Sequence, residues 1–220
     1  MSGTLAGMTG TLVAVCAVAE FHPAARGGLT AIDKRPLTGP VAIEPAGVAG
    51  DRQIEDGHGG TDQALYAYSR EEAARWADEL GRDIPPGTFG ENLAVTGMPV
   101  TDAVIGERWR IGATVLVEVT TPRTPCVTFK GWMGEPQWVK RFGRRGDVGS
   151  YLRVLTPGLV RAGDPIEVVA RPAHGVTARD VFNAGDQDPQ RLQRLLDESE
   201  YLAEKTAWRV RKTLAAIAVQ

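Results

Sequence analysis

The sequence predicts a β-rich α+β fold: a β-barrel or sandwich with interspersed helices, followed by a small C-terminal three-helix bundle. Three observations predict it. Short apolar segments, broken repeatedly by Gly and Pro, fill the chain up to Arg171, a pattern of many short strands. The regular strand–helix alternation of a doubly wound sheet is missing. The composition shifts at Arg171–Gly175, and beyond it apolar residues recur at helical intervals. The expected organisation is a flexible N-terminus over 1–10, a β-barrel domain over 11–172 and a three-helix domain over 173–220.

Strands are expected at Thr11–Val18, Val41–Glu44, Leu65–Tyr68, Asn92–Val95, Arg108–Ile111, Thr114–Thr120, Tyr151–Leu155 and Ile166–Val169. Two helices interrupt them. Ser69–Leu80 begins with a Ser N-cap and Glu72 three residues on, a capping box. Its Ala73, Trp76, Ala77 and Leu80 share a face, and Gly81 stops it. The second spans Pro136–Phe142, with Trp138, Val139 and Phe142 inward and Gly143 as its end. In the C-terminal region, Thr177 and Asp180 form a capping box ahead of Val181 and Phe182. Asp188–Pro189 starts the next helix, because Asp caps and Pro suits the first helical position. A last helix over Tyr201–Ala218 offers Leu202, Trp208, Leu214 and Ile217 for packing. So small a helical unit is marginal alone and is expected to dock on the barrel or on a second subunit, which makes a homodimer an expectation.

The 220 residues are 43% hydrophobic and 24% charged, with a net charge of -2. Such a chain buries a sizeable core and presents no polyanion-binding surface, so nucleic acid is not an expected partner. No stretch approaches the ~20 apolar residues of a membrane span, and the uncharged N-terminus is not a signal peptide. A cytoplasmic protein is expected. Of the two cysteines, Cys16 sits in an apolar strand and reads as a small hydrophobe. Cys126 lies in a Pro-rich turn.

Three segments carry polar or Gly-rich character that a purely structural chain has no need of. In Gly50-Asp51-Arg52-Gln53 and His58-Gly59-Gly60-Thr61-Asp62, the glycines allow backbone amides to approach a ligand. His58 and Asp62 add a titratable pair; a solvated hairpin turn is the competing reading. Gly87-Thr88-Phe89-Gly90-Glu91-Asn92-Leu93 leads into a strand. Asn92 there either reads a heterocycle edge, with its donor and acceptor, or satisfies local backbone. In Thr120-Thr121-Pro122-Arg123-Thr124-Pro125-Cys126, two prolines fix a turn and Arg123 stands three residues before the thiol. A nearby cation favours the thiolate, the form that ligates metal; a partly buried, inert thiol is the alternative. Other metal ligation has little support, since His22 and His174 have no partner nearby in sequence.

Taken in order, these segments resemble the MOSC domain family, named for molybdenum cofactor sulfurase C-terminal domains. The matching residues are Ile32-Asp33-Lys34, Gly50-Asp51-Arg52-Gln53, His58-Gly59-Gly60-Thr61-Asp62-Gln63-Ala64, Phe89-Gly90-Glu91-Asn92-Leu93, Ile105-Gly106-Glu107-Arg108 and Pro122-Arg123-Thr124-Pro125-Cys126. Val176-Thr177-Ala178-Arg179-Asp180-Val181-Phe182 resembles the opening of the helical module in the YiiM-type 6-hydroxylaminopurine reductase branch.

The resemblance implies a MOSC-type β-barrel that binds molybdenum cofactor (molybdopterin). It implies that Cys126 ligates molybdenum and that Asn92 and Arg123 hold the pterin and its phosphate. Lys34 and His58-Gly59-Gly60 would complete the pocket, with Cys126, Asp62 and His58 catalytic and Glu91 a further proton source. The implied activity is reduction of N-hydroxylated substrates such as 6-hydroxylaminopurine, a detoxification. The alternative is a cofactor or sulfur carrier without turnover. Electrons would come from a separate reductase, with a flavin-dependent enzyme as the candidate class, because the sequence has no iron–sulfur cysteine cluster and no dinucleotide loop. Lys130, Lys140, Arg141, Arg144 and Arg145 form a candidate docking patch or a solvated helix face. The family is also associated with pyridoxal phosphate, but no aminotransferase-like segment is present to support that site.

Overall fold

The computed structural model describes residues 9–25, 27–54 and 59–218. Of the flexible N-terminus expected over 1–10, residues 1–8 lie outside them, while Thr9 and Gly10 already belong to a strand. In chain order the elements are β1 (Thr9–Pro23), β2 (Leu29–Pro36), β3 (Val41–Glu44), β4 (Gly47–Val48), β5 (Leu65–Ser69), α1 (Arg70–Leu80), β6 (Leu93–Thr96), β7 (Arg108–Ile111), β8 (Val115–Pro122), α2 (Val127–Met133), α3 (Trp138–Arg145), β9 (Ser150–Thr156), β10 (Gly158–Val160), β11 (Pro165–Ala170), α4 (Ala178–Phe182), α5 (Pro189–Glu198) and α6 (Glu204–Ile217).

Strands β11-β7-β8-β9-β5-β6-β1 form a closed barrel, because β1 pairs with β11 as well as with β6. The length of β1 makes this possible. Its start pairs with β11, its middle with β6, and its far half projects with β2 as a hairpin. All barrel pairings are antiparallel except β5–β6. A parallel pair needs a crossover, and α1 supplies it. Strands β10, β3 and β4 form a separate small sheet.

Strand periodicity explains two cores. Leu65 and Ala67 of β5 point into the barrel with Leu12, Val15, Leu93, Val117 and Leu152. The alternate residues Tyr66 and Tyr68 face the other way into an aromatic cluster with Trp76, Phe89, Phe129, Trp138 and Phe142. That cluster fastens α1, α2 and α3 to the outside of the barrel. Val181, Leu192, Leu195 and Val210 of the C-terminal helices pack into the same core as the barrel interior, so this helical region docks on the barrel, one of its two expected sites.

Several local expectations change. Ser69 caps α1 by accepting from the Glu71 and Glu72 amides, and Gly81 ends it in the left-handed region at φ 62°. Glu72 does not turn back to close the box; its carboxylate accepts from Thr101 Oγ1 at 2.8 Å. The second expected helix starts later, at Trp138, after Gln137 takes a left-handed φ of 53°, and Gly146 rather than Gly143 ends it. Trp208 is 60% exposed instead of packing; Ala207 and Val210 face inward on α6. The capping box at Thr177–Asp180 and the Asp188–Pro189 start form as expected. No helix among the described residues is long and apolar enough to cross a membrane.

Candidate cofactor site

A cleft, partly open to solvent, lies where the aromatic cluster meets the β1–β2 hairpin. Lys34, Gly59, Asn92, Arg123 and Cys126 all line it, together with Arg52, Gln53, Tyr66, Phe89, Thr128 and Tyr151. Five residues singled out from four stretches of sequence therefore converge on one concavity.

The floor is a closed polar network centred on Asp51. Its Oδ2 pairs with Lys34 Nζ and accepts from Asn92 Nδ2 at 2.7 Å, while Oδ1 accepts from the Val18 amide at 2.8 Å. Asn92 Nδ2 also donates to Cys16 O at 3.2 Å, and its Oδ1 accepts from the Tyr66 amide at 3.1 Å. Both amide hydrogens of Asn92 are thus committed to the protein. Asn92 joins β1, β5 and the Asp51 turn, and the floor it helps build shapes the cleft. The role of Asp51 was missed: it appeared only as part of a motif, and its partners at positions 18, 34 and 92 are invisible to local spacing.

The wall behaves differently. Arg123 is 6% exposed, and its Nη1 has no hydrogen-bond partner. Its guanidinium lies over the Phe129 ring at 3.5 Å and near Tyr66 at 5.3 Å. Among the described residues no carboxylate pairs with it. Burying a cation without a counter-charge costs several kcal/mol, and the ring contacts offset part of that cost. Three residues on, Cys126 caps α2, and its Sγ accepts from the Phe129 amide at 3.5 Å. It forms no disulfide with Cys16 and is half-buried at the cleft. Cys16, by contrast, is fully buried, and burial pushes its thiol pKa up to about 12.

The opposite lip comes from Gly87–Gly90. Gly87, at φ 91°, packs so tightly on the backbone of Lys34 that a Cβ would collide with its carbonyl. Glu91 holds this loop by accepting from the Gly87 amide at 2.7 Å and the Phe89 amide at 3.0 Å. Burial raises the Glu91 pKa, against the lowering effect of those amides. Glu91 therefore organises the lip and does not line the cleft.

Two further predicted residues fall elsewhere. Asp62 and Gly60 line a neighbouring hollow with Tyr201 and Lys205, which shares only Gly59 with the cleft. The Asp62 carboxylate faces Arg153 at 3.4 Å and Tyr201 Oη at 3.5 Å. His58 lies outside the described residues. In the candidate docking patch, Arg141 and Arg145 pair with Glu79, and Arg141 also with Glu135, leaving much of its charge neutralised at home.

Comparison with known proteins fits this geometry. The family description "MOSC domain" matches residues 55–167. A reductase of Gibberella moniliformis is 36% identical over 150 residues, covering 65% of this chain but 26% of that protein. Protein YiiM of Escherichia coli is 33% identical over 147 residues, 64% of this chain and 65% of the relative. The chain thus spans less than two thirds of either relative. Among solved structures, YiiM from Geobacillus stearothermophilus superposes with a TM-score of 0.75 at 24% identity, covering 93% of this chain and 99% of the other.

Proposed function

The chain belongs to the MOSC domain family, and from that premise we propose that it is a molybdenum-cofactor-dependent reductase of N-hydroxylated compounds, with 6-hydroxylaminopurine as the representative substrate. The observation that carries the reading is Arg123, a buried cation on the wall of the cleft with no carboxylate partner among the described residues.

The residues fit the cofactor. Arg123 would receive its phosphate, for which the planar guanidinium fork suits paired oxygens. Cys126 would supply the soft sulfur ligand to molybdenum. Tyr151, half-buried at the cleft, would offer ring surface to the pterin, backed by the buried Tyr66 and Phe89. Lys34, neutralised by Asp51, would offer a fixed dipole and not a free charge. When bound, the cofactor supplies two-electron oxygen-transfer chemistry. The substrate's N–O bond takes two electrons and two protons, releasing water and leaving the amine. The electrons come from a separate reductase, with a flavin enzyme as the candidate class.

The test is molybdenum by elemental mass spectrometry and pterin by fluorescence, in wild type and Cys126→Ser from a cofactor-producing host. Near-stoichiometric metal and pterin in wild type are expected, with metal lost from the variant. Loaded wild-type protein should then reduce 6-hydroxylaminopurine with a chemical donor. Loading without turnover would make the chain a carrier. Neither metal nor pterin in freshly prepared wild type would contradict the reading.

A further inference from the structure

A second hollow opens beside the cleft, and nothing above gives it a role. It is lined by His22, Pro23, Ala25, Thr30, Ile32, Thr128, Gly131 and Trp132. Thr30, Ile32 and Thr128 line the cleft as well, so the two are one trough with a shared wall. Helix α2 runs along it. Cys126 caps the helix, Thr128 follows, and Trp132 stands four residues further on the same face. Six residues of helix span about 9 Å, so a ligand in the hollow would lie within a short molecule's length of the Cys126 sulfur.

The side chains there are held in place. Trp132 Nε1 donates to Thr88 O at 2.8 Å, which fixes the indole. His22 Nε2 lies 3.1 Å from Asp33 Oδ2. Asp33 also accepts from Arg35 at 2.8 and 3.1 Å. Burial opposes ionisation of Asp33, but the bonds from Arg35 and His22 outweigh it and lower its pKa. An ionised carboxylate only accepts, so His22 Nε2 is the donor of this bond. Among the described residues Nδ1 has no hydrogen-bond partner. The imidazole and indole meet at 5.3 Å and 54°, so neither ring covers the other.

By residue type alone, Glu20, His22 and Asp33 form a group of metal-ligand kind. Arg35 already bridges both carboxylates, reaching Glu20 at 3.3 Å and Asp33 at 2.8 Å, and it supplies the positive charge a metal would bring.

We propose that this hollow is the substrate's seat: a planar nitrogen heterocycle lies against the Trp132 ring, and His22 Nδ1 forms a hydrogen bond with its exocyclic nitrogen group. The choice of ligand class rests on the proposed function; the seat itself rests on His22, Asp33 and Trp132. Asp33 acts as a positioning residue that orients the His22 ring.

Adenine, which has the exocyclic N–H but no N–O bond to reduce, is the probe. Its binding is measured by calorimetry on the full chain, with and without cofactor loading, alongside molybdenum content. Trp132→Leu and His22→Ala should each weaken adenine binding about tenfold, in line with the loss of one stacked ring or one hydrogen bond. Trp132→Phe should restore most of it. Molybdenum content should not change, and the KM for 6-hydroxylaminopurine should rise more than kcat falls. Wild type that binds no adenine in either state, or variants that bind it like wild type, would overturn the proposal. Adenine binding with this dependence in a protein that never loads molybdenum would keep the seat and sink the cofactor reading.

Discussion

Two buried charged regions sit at different edges of the barrel. Where α1 meets α4, Asp147 is paired with Arg75 at 2.7 Å and Arg179 at 3.2 Å, and Arg179 also binds Asp102 at 2.6 Å. Every cation in that cluster has its carboxylate. In the cleft, the Lys34–Asp51–Asn92 floor is closed in the same way, but Arg123 on the wall has no counter-charge among the described residues. Closed networks hold the fold together. A buried cation left open represents stability given up in the empty protein and regained when an anion binds.

The paired region has one exception, which gives the largest expected effect. Glu72 is 4% exposed, its carboxylate accepts from Thr101 Oγ1, and its pKa is raised to about 7 by burial, with a smaller push from Asp147. The nearby Arg179 and Arg75 lower it by less. The folded state therefore holds the proton more tightly than the unfolded chain. This contribution to stability is full below the unfolded value near 4.5 and is lost as pH rises through about 7. Glu72→Gln should accordingly stabilise the protein at pH 8 by on the order of 3 kcal/mol and much less at pH 5. Urea denaturation at both pH values checks this, and an equal effect at both would break the contrast.

Asp147→Ala comes next. It strands two arginines, but Arg75 is half-exposed and Arg179 partly so, which discounts the buried-pair cost to about 2 kcal/mol. Cofactor content of the variant should stay at the wild-type level. A loss of cofactor at undiminished stability would mean that this region serves the site directly.

The smallest effect concerns the link between the C-terminal helices and the Cys126 turn. Arg209 Nη2 donates to Thr124 Oγ1 at 2.7 Å. Arg209→Ala and Thr124→Val should each cost about 1 kcal/mol. In a double-mutant cycle the two costs should not add; full additivity would show that the bond contributes nothing.

Much of this was legible in the sequence, for physical reasons. Strands such as Arg108–Ile111 and Val41–Glu44 announce themselves by apolar alternation between turns, and both form with those bounds. Strand β2 was not expected, because Leu29–Pro36 carries Asp33, Lys34 and Arg35 and pairs only with β1. Helix α2 hid behind Pro125 and an internal Gly131, and only the Cys126 cap reveals its start. At the site, Cys126 and Arg123 could be found because a rigid Pro-x-x-Pro turn sets them close together. Asp51 and the His22–Asp33 pair could not, since their partners meet only when β1, β2 and the 51–54 turn come together. Asp62 looked like part of the cleft because it follows the Gly-Gly pair, but the short 3-10 turn at Thr61–Gln63 carries it to the other side, toward Arg153.

The central proposal is that Arg123, buried and without a carboxylate partner among the described residues, receives an anionic cofactor. Arg123→Met tests it most directly, with pterin content and the stability of the cofactor-free protein measured on the same preparations. Methionine keeps the packing on Phe129 and removes the unpaired charge, while losing a cation–π contact of about 2 kcal/mol. The account predicts that pterin is lost and that cofactor-free stability is unchanged or raised. Pterin retained at the wild-type level, or stability lowered by the 3 kcal/mol or so typical of breaking a buried ion pair, would contradict it.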